Sequence, residues 1–187
     1  MKVSDIVKNM SFLADMQIDD DYFASGADVE VANSDGKVKF ALRCIEMAAQ
    51  EIALNVFPVI ESQVVFAEGG RVDLSQTECD PIEILSAKDE VGRQVSFRYD
   101  GEAILQVEKS GNVLLTYKKK VGSVHFGDEL NFACPKLDAR TVAYGALAEY
   151  FLAKGDYSGH AVWDERFRDA LALAKGAPKN MPKRRWA

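Results

Sequence analysis

The chain has little from which to build a metal or redox centre, since only two histidines and three cysteines occur among its 187 residues. Cys44, Cys79 and Cys134 are odd in number, far apart and form no CxxC, and neither His125 nor His160 has a histidine four residues away. That spacing matches no zinc site or disulfide frame, so free thiols in a reducing compartment are expected. Phosphate and nucleophile signatures are missing too: there is no GxxxxGK[ST], GxGxxG, GxSxG or HExxH. No run approaches the roughly 18 to 20 apolar residues a membrane helix needs. The best stretch, Ile45 to Ile60, is broken by Glu46, Gln50, Glu51, Asn55 and Pro58. The N-terminus turns acidic at Asp5 where an export signal would stay apolar, so neither membrane association nor secretion is expected. No cofactor and no metal is expected.

What is present is an ordinary globular composition, 48% hydrophobic and 28% charged, at a length that supports a core without disulfides. The net charge is −6, unevenly spread. Lys175, Lys179, Lys183, Arg184 and Arg185 fall in the last 13 residues with no acid among them, and removing those five charges leaves −11 on residues 1–174. An acidic body disfavours tight binding of nucleic acid, while a basic end suits DNA or an acidic protein surface.

Periodicity divides the chain into helical ends and a β-rich middle. Val3, Ile6, Val7, Met10, Leu13 and Ala14 mark a first helix, with Ser4 or Asp5 as its cap. Residues 19–26 read as an acidic loop ending in glycine. A second helix is expected over residues 35–54, capped by Asn33 or Ser34 and ended by Pro58, with Val38, Ala41, Leu42, Ile45, Ala48, Ala49 and Ile52 as its stripe. Between Ser62 and His125 come about five strands around residues 64–66, 82–85, 94–99, 103–107 and 113–117. Turn signals separate them at Gly69-Gly70, residues 89–92, Asp100-Gly101 and Ser110-Gly111-Asn112. A third helix follows from an Asp138 cap to a stop at Gly155, and a fourth from a Ser158 cap to a stop at Gly176. Pro178 and Pro182 keep the last residues from continuing it.

The expected fold is therefore α+β. Two N-terminal and two C-terminal helices form a four-helix bundle core (1–60 and 134–175), which carries an inserted antiparallel β-sheet lobe (61–133) and an extended basic C-terminal arm (176–187).

Several side-chain groupings carry no chemistry by themselves. Asp15, Asp19, Asp20 and Asp21 lack the alternating spacing and closing glutamate of a calcium loop. Glu78, Asp80, Glu83, Asp89 and Glu90 are plentiful carboxylates, but an acid/base pair needs a shaped pocket. Glu68-Gly69-Gly70-Arg71 reads as a hairpin turn and not as a phosphate cradle, because a strand follows it. Lys118-Lys119-Lys120 reads as a charged, protected sheet edge.

The last third is distinctive. Residues 143–157 read AYGALAEYFLAKGDY and residues 163–171 read WDERFRDAL, and the chain ends Lys183-Arg184-Arg185-Trp186-Ala187. Ala143, Gly145, Ala146 and Ala148 permit close helix approach, and Trp163 and Phe167 lie one turn apart on one face. Residues 138–187 resemble the C-terminal half of bacteriophage head-to-tail connector proteins, also called adaptor or head-completion proteins. That resemblance implies a non-catalytic virion protein of the phage neck, made in the host cytoplasm. It implies a ring of this chain, typically a dodecamer, between the portal protein and a tail or tail-completion protein, with DNA passing through its lumen unbound. It further implies insertion of the arm into the portal's outer edge. Within the arm, Lys179, Lys183, Arg184 and Arg185 offer donors to carboxylates and Trp186 offers an apolar anchor. The β region of about 60 residues is the departure from simpler all-helical connectors.

Two alternatives stand beside this reading. The runner-up is a neighbouring tail-completion or neck protein, which differs in what it touches rather than in chemistry. A small ligand-binding or hydrolytic enzyme would place its site in the β lobe and require convergent carboxylates in an apolar pocket.

Overall fold

The computed structural model describes residues 1–24, 26–77, 81–101 and 103–176. These hold five α-helices and two three-stranded antiparallel sheets, a mixed α+β fold. The chain divides into two compact units, Ile52–Val121 and the remainder, so the boundaries fall at 51/52 and 121/122 where the sequence suggested a lobe over 61–133.

In the helical unit, α1 (Val3–Ala14) buries Val3, Ile6, Val7 and Met10, the front of the expected stripe. Neither Ser4 nor Asp5 caps it: Lys2 occupies the N-cap without a side-chain bond. Instead the Val3 N–H donates to the Asp128 carbonyl at 2.9 Å and the Met1 amine donates to the Leu130 carbonyl at 2.8 Å. A backbone acceptor 125 residues away in sequence does the work of a cap, which no local pattern reveals.

The acidic loop contains a 3-10 turn, Asp20–Phe23, and is followed by a six-residue helix, α2 (Val29–Ser34), absent from the sequence reading. Asp28 caps α2 by accepting from the Glu30 N–H at 2.9 Å. α3 (Gly36–Asn55) is capped by Asp35, which accepts from Lys37 and Val38 at 2.8 and 3.0 Å. Asn33, one of the expected caps, turns away and accepts the Phe126 N–H at 2.9 Å. The expected stripe of α3 is buried in full, from Val38 to Ile52.

α4 (Ala139–Ala153) begins as expected at Asp138, whose carboxylate accepts from both the N–H and the hydroxyl of Thr141 at 2.8 and 2.7 Å. It is buried on most of its circumference, including Thr141, Val142, Ala143 and Gly145 through Ala148, as befits the central helix of a unit. α5 (Tyr157–Lys175) is capped by Asp156 rather than Ser158: the Asp156 carboxylate accepts from the Gly159 N–H at 2.9 Å and from the Ser158 hydroxyl at 2.7 Å. These bonds hold the Asp156 carboxyl below its usual range. α5 buries Trp163, Phe167 and Leu171, whereas Val162 is half exposed.

The close approach foreseen from the small residues occurs at Gly145. A Cβ there would lie 2.9 Å from the Phe167 ring and 3.0 Å from the Ala48 Cβ, so three helices meet where only glycine leaves room.

The β unit contains six strands, one more than expected. β1 (Val59–Ala67), β6 (Gly111–Lys119) and β3 (Pro81–Asp89) form one sheet in the order β1-β6-β3. β2 (Arg71–Asp73), β5 (Ile104–Val107) and β4 (Phe97–Tyr99) form the other in the order β2-β5-β4. Single bridges, Glu68 to Arg71 and Lys88 to Gln94, tie the two sheets together at both sides, and one core fills the space between them. Leu105, Leu115, Ala67, Val72 and Ala87 are buried in it, as is Tyr117, whose hydroxyl donates to Gln63 Oε1 at 3.3 Å. The expected strand over 94–99 shortens to Phe97–Tyr99; Val95, outside it, is buried, and Tyr99 is half exposed, its hydroxyl accepting the Ile84 N–H at 2.9 Å.

Three of the four expected turns are present, at Gly69-Gly70, 89–92 and Asp100-Gly101, whereas Gly111 and Asn112 already belong to β6 and that reversal falls at 108–110. Gly70 shows why glycine is needed. Its φ is +80°, and a Cβ would sit 2.7 Å from the Val107 carbonyl oxygen. The lysine run departs from expectation. β6 is the central strand of its sheet, so Lys118 and Lys119 protect no edge. They form cross-strand ion pairs instead, Lys118 with Glu83 and Lys119 with Glu61, each at 2.5 Å.

Candidate functional site

The five residues expected to carry partner binding, Lys179, Lys183, Arg184, Arg185 and Trp186, lie outside the described residues. What the structure describes is the base from which they depart, the hairpin of α4 and α5. Its turn is set by Gly155, and its far end is Gly176, where α5 stops on a positive φ of 86°.

One face of this hairpin carries an alternation of cations and rings. The Arg140 guanidinium sits 5.7 Å from the Tyr144 ring centre, Tyr144 lies 5.7 Å from Trp163, and the Arg166 guanidinium lies 4.7 Å over Trp163. Arg140 and Tyr144 are i,i+4 on α4 and Trp163 and Arg166 are i,i+3 on α5, so each pair is local and the Tyr144–Trp163 contact joins the helices. Each cation–π contact at an exposed site contributes on the order of 0.5–1 kcal/mol. The sequence reading noticed Trp163 but not the arginines, although their spacing was the available signal. Beside this face a groove of about 300 Å³ is lined by Lys136, Arg140, Tyr144, Ala170, Leu173 and Ala174. Leu173, 69% exposed, forms an apolar lip one turn before Gly176.

The helical unit also gathers carboxylates. Glu51 lies near Asp164 and Glu149, and burial together with these two like charges raises its pKa despite the opposing charge of Arg168. Arg168 Nη2 is paired with Asp164 at 2.8 Å. Burial, reinforced by Glu149, pushes the Cys44 thiol up to about 12, which leaves it protonated and a poor nucleophile.

Both histidines and two carboxylates of the β unit are engaged in structure. His125 Nδ1 lies 3.3 Å from Asp128 and His160 Nδ1 lies 3.0 Å from the Ala148 carbonyl, one on a loop and the other on α5. Asp89 accepts from the Val91 and Arg93 amides at 3.1 and 2.8 Å, and Glu90 accepts from Asn112 Nδ2 at 2.8 Å, so both shape turns. Glu78, Cys79 and Asp80 lie outside the described residues. No cluster of three metal-ligating side chains occurs among the described residues. A cavity of about 340 Å³ in the β unit is lined by Ser96, Phe97, Arg98, Gln106, Val107 and Glu108, with Arg98 Nε donating to Gln106 Oε1 at 2.8 Å. Among the described residues its lining holds one carboxylate, Glu108.

Among the described residues no helix is long and apolar enough to cross a membrane. No protein-family model matches the chain, and no curated protein matches it.

Proposed function

We propose that this chain is a structural component of a phage neck, an adaptor that assembles as a ring on the capsid portal and presents a surface to the tail. On this reading α1, α3, α4 and α5 are the four-helix core, and the segment after Gly176 is the arm that reaches the portal. The observation that carries the proposal is the α4–α5 hairpin ending at Gly176, immediately before a stretch that holds four cations, Trp186 and no acid. A hairpin locked by Gly145 against Phe167 provides a rigid base. An arm with forked cationic donors and a terminal indole suits an acidic, partly apolar socket.

The charge distribution supports the second half of the role. A body of net −11 repels the phosphate backbone, so duplex passing through a ring of such bodies slides without being gripped.

Binding of the purified chain to a portal ring, with and without residues 177–187, tests the reading. Multiple copies of the full chain should join the ring, and the shortened chain should lose most of its affinity. Equal binding by both, or none by the full chain, would overturn it.

A further inference from the structure

The sheet β1-β6-β3 has two edge strands, and they are defended very differently. β3 begins at Pro81, loses register twice against β6 and carries Glu83, Lys88 and Asp89. Proline, bulges and charges are the usual devices that keep an edge from pairing with another chain. β1 has only one of them, a single charge. Its nine residues run in unbroken register with β6, without proline, and its one charge, Glu61, faces inward and is held by Lys119. The outward-facing positions are Ile60, Ser62, Val64 and Phe66, and the three apolar ones are 46%, 61% and 60% exposed. A long, unbulged edge with an exposed apolar row is a template for strand addition.

We propose that β1 pairs antiparallel with β1 of a second copy of this chain, in the register centred on Gln63, joining two three-stranded sheets into one of six strands. The occupant follows from the strand itself. Centred there, all nine residues overlap; Ile60 faces Phe66 of the other copy and Ser62 faces Val64, so every apolar outward side chain meets a neighbour. Shifting the centre by one residue to Val64 sets Ile60 opposite the charged Glu68. Electrostatics agree with the central register. Two acidic bodies repel, yet here each Glu61 faces Val65 and the two Glu61 carboxylates stand four residues apart, about 13 Å at strand rise. That distance exceeds the screening length of about 8 Å at physiological salt. The pairing is isologous and closes on itself, so it describes the free chain and does not rest on the connector reading.

Sedimentation equilibrium of the full chain over a concentration series tests this. The expected species is a dimer of twice the 20.7 kDa monomer mass. Phe66→Glu and Ile60→Lys should each weaken dimerisation about tenfold or more, since a charge then faces an apolar partner. The double variant should recover most of that loss, because position 60 of one copy lies opposite position 66 of the other, while within one strand they are too far apart to interact. Leu85→Lys on β3 controls for added surface charge and should leave the dimer unchanged. A chain that stays monomeric, a dimer indifferent to Phe66→Glu, or single variants that the double does not rescue would each overturn the proposal. A dimer that ignores the portal would sink the connector reading and leave this one standing.

Discussion

The helical unit and the β unit both bury a core, but they recruit it from opposite distances along the chain. The β unit is a continuous run, Ile52–Val121, with short hairpin turns at Gly69-Gly70, Gly92 and Asp100-Gly101. The helical unit joins Met1–Glu51 to the chain from Gly122 onward, and its close approach at Gly145, against Ala48 and Phe167, draws on three helices. Local turns fix the register of the first, whereas close approach of small residues fixes the second. Both units should therefore be sensitive to core side-chain volume, and the β unit to turn geometry as well.

Substitutions can break that contrast. The largest effect is expected for Phe167→Ala, which empties the space beside Gly145 and should cost about 4 kcal/mol in urea unfolding. In the β unit Leu105→Ala, at a fully buried position, should cost about 3 kcal/mol in the same measurement. Gly70→Ala should follow at about 2 kcal/mol, far more than one added methyl group costs at an ordinary position, because it meets both a positive φ and the Val107 carbonyl. If Gly70→Ala proves neutral, turn geometry does not control the β unit and the contrast fails. Removing the cap with Asp138→Ala should cost about 1 kcal/mol.

The smallest effect depends on pH. The folded Glu51 carboxyl has a raised pKa, so its unfavourable contribution is absent below the usual carboxylate range, where the group is neutral folded and unfolded alike. It grows as pH rises through the unfolded value and is complete above the folded one. Glu51→Gln should accordingly raise the urea midpoint at pH 7 and leave it unchanged at pH 3.

Much of the architecture was legible because it is local. The α4 cap at Asp138, its stop at Gly155, the α3 stripe and the turns at Gly69-Gly70, Gly92 and Gly101 each depend on a few adjacent residues. The misses have physical causes. Asn33, Ser34 and Asp35 are three consecutive capping types, and the choice of Asp35 depends on Asn33 being taken by Phe126 from a distant loop. α2 and β2 are six and three residues long, too short for periodicity to register. The lysine run looked like an edge because sequence order does not disclose sheet order, and β6 lies between β1 and β3. The residues after Gly122 bury Val124, Phe126, Leu130 and Leu137 without regular structure, so no period announced them as core. At the candidate site the small-residue hairpin was readable, while the Arg140–Tyr144–Trp163–Arg166 alternation required knowing which faces of two helices meet.

Native mass measurement of a portal ring saturated with this chain addresses the function most directly. The account predicts a discrete complex carrying as many copies of the chain as a closed ring requires, lost when the chain stops at Gly176. A portal ring whose mass does not change, or a shortened chain that loads it to the same stoichiometry, would contradict it.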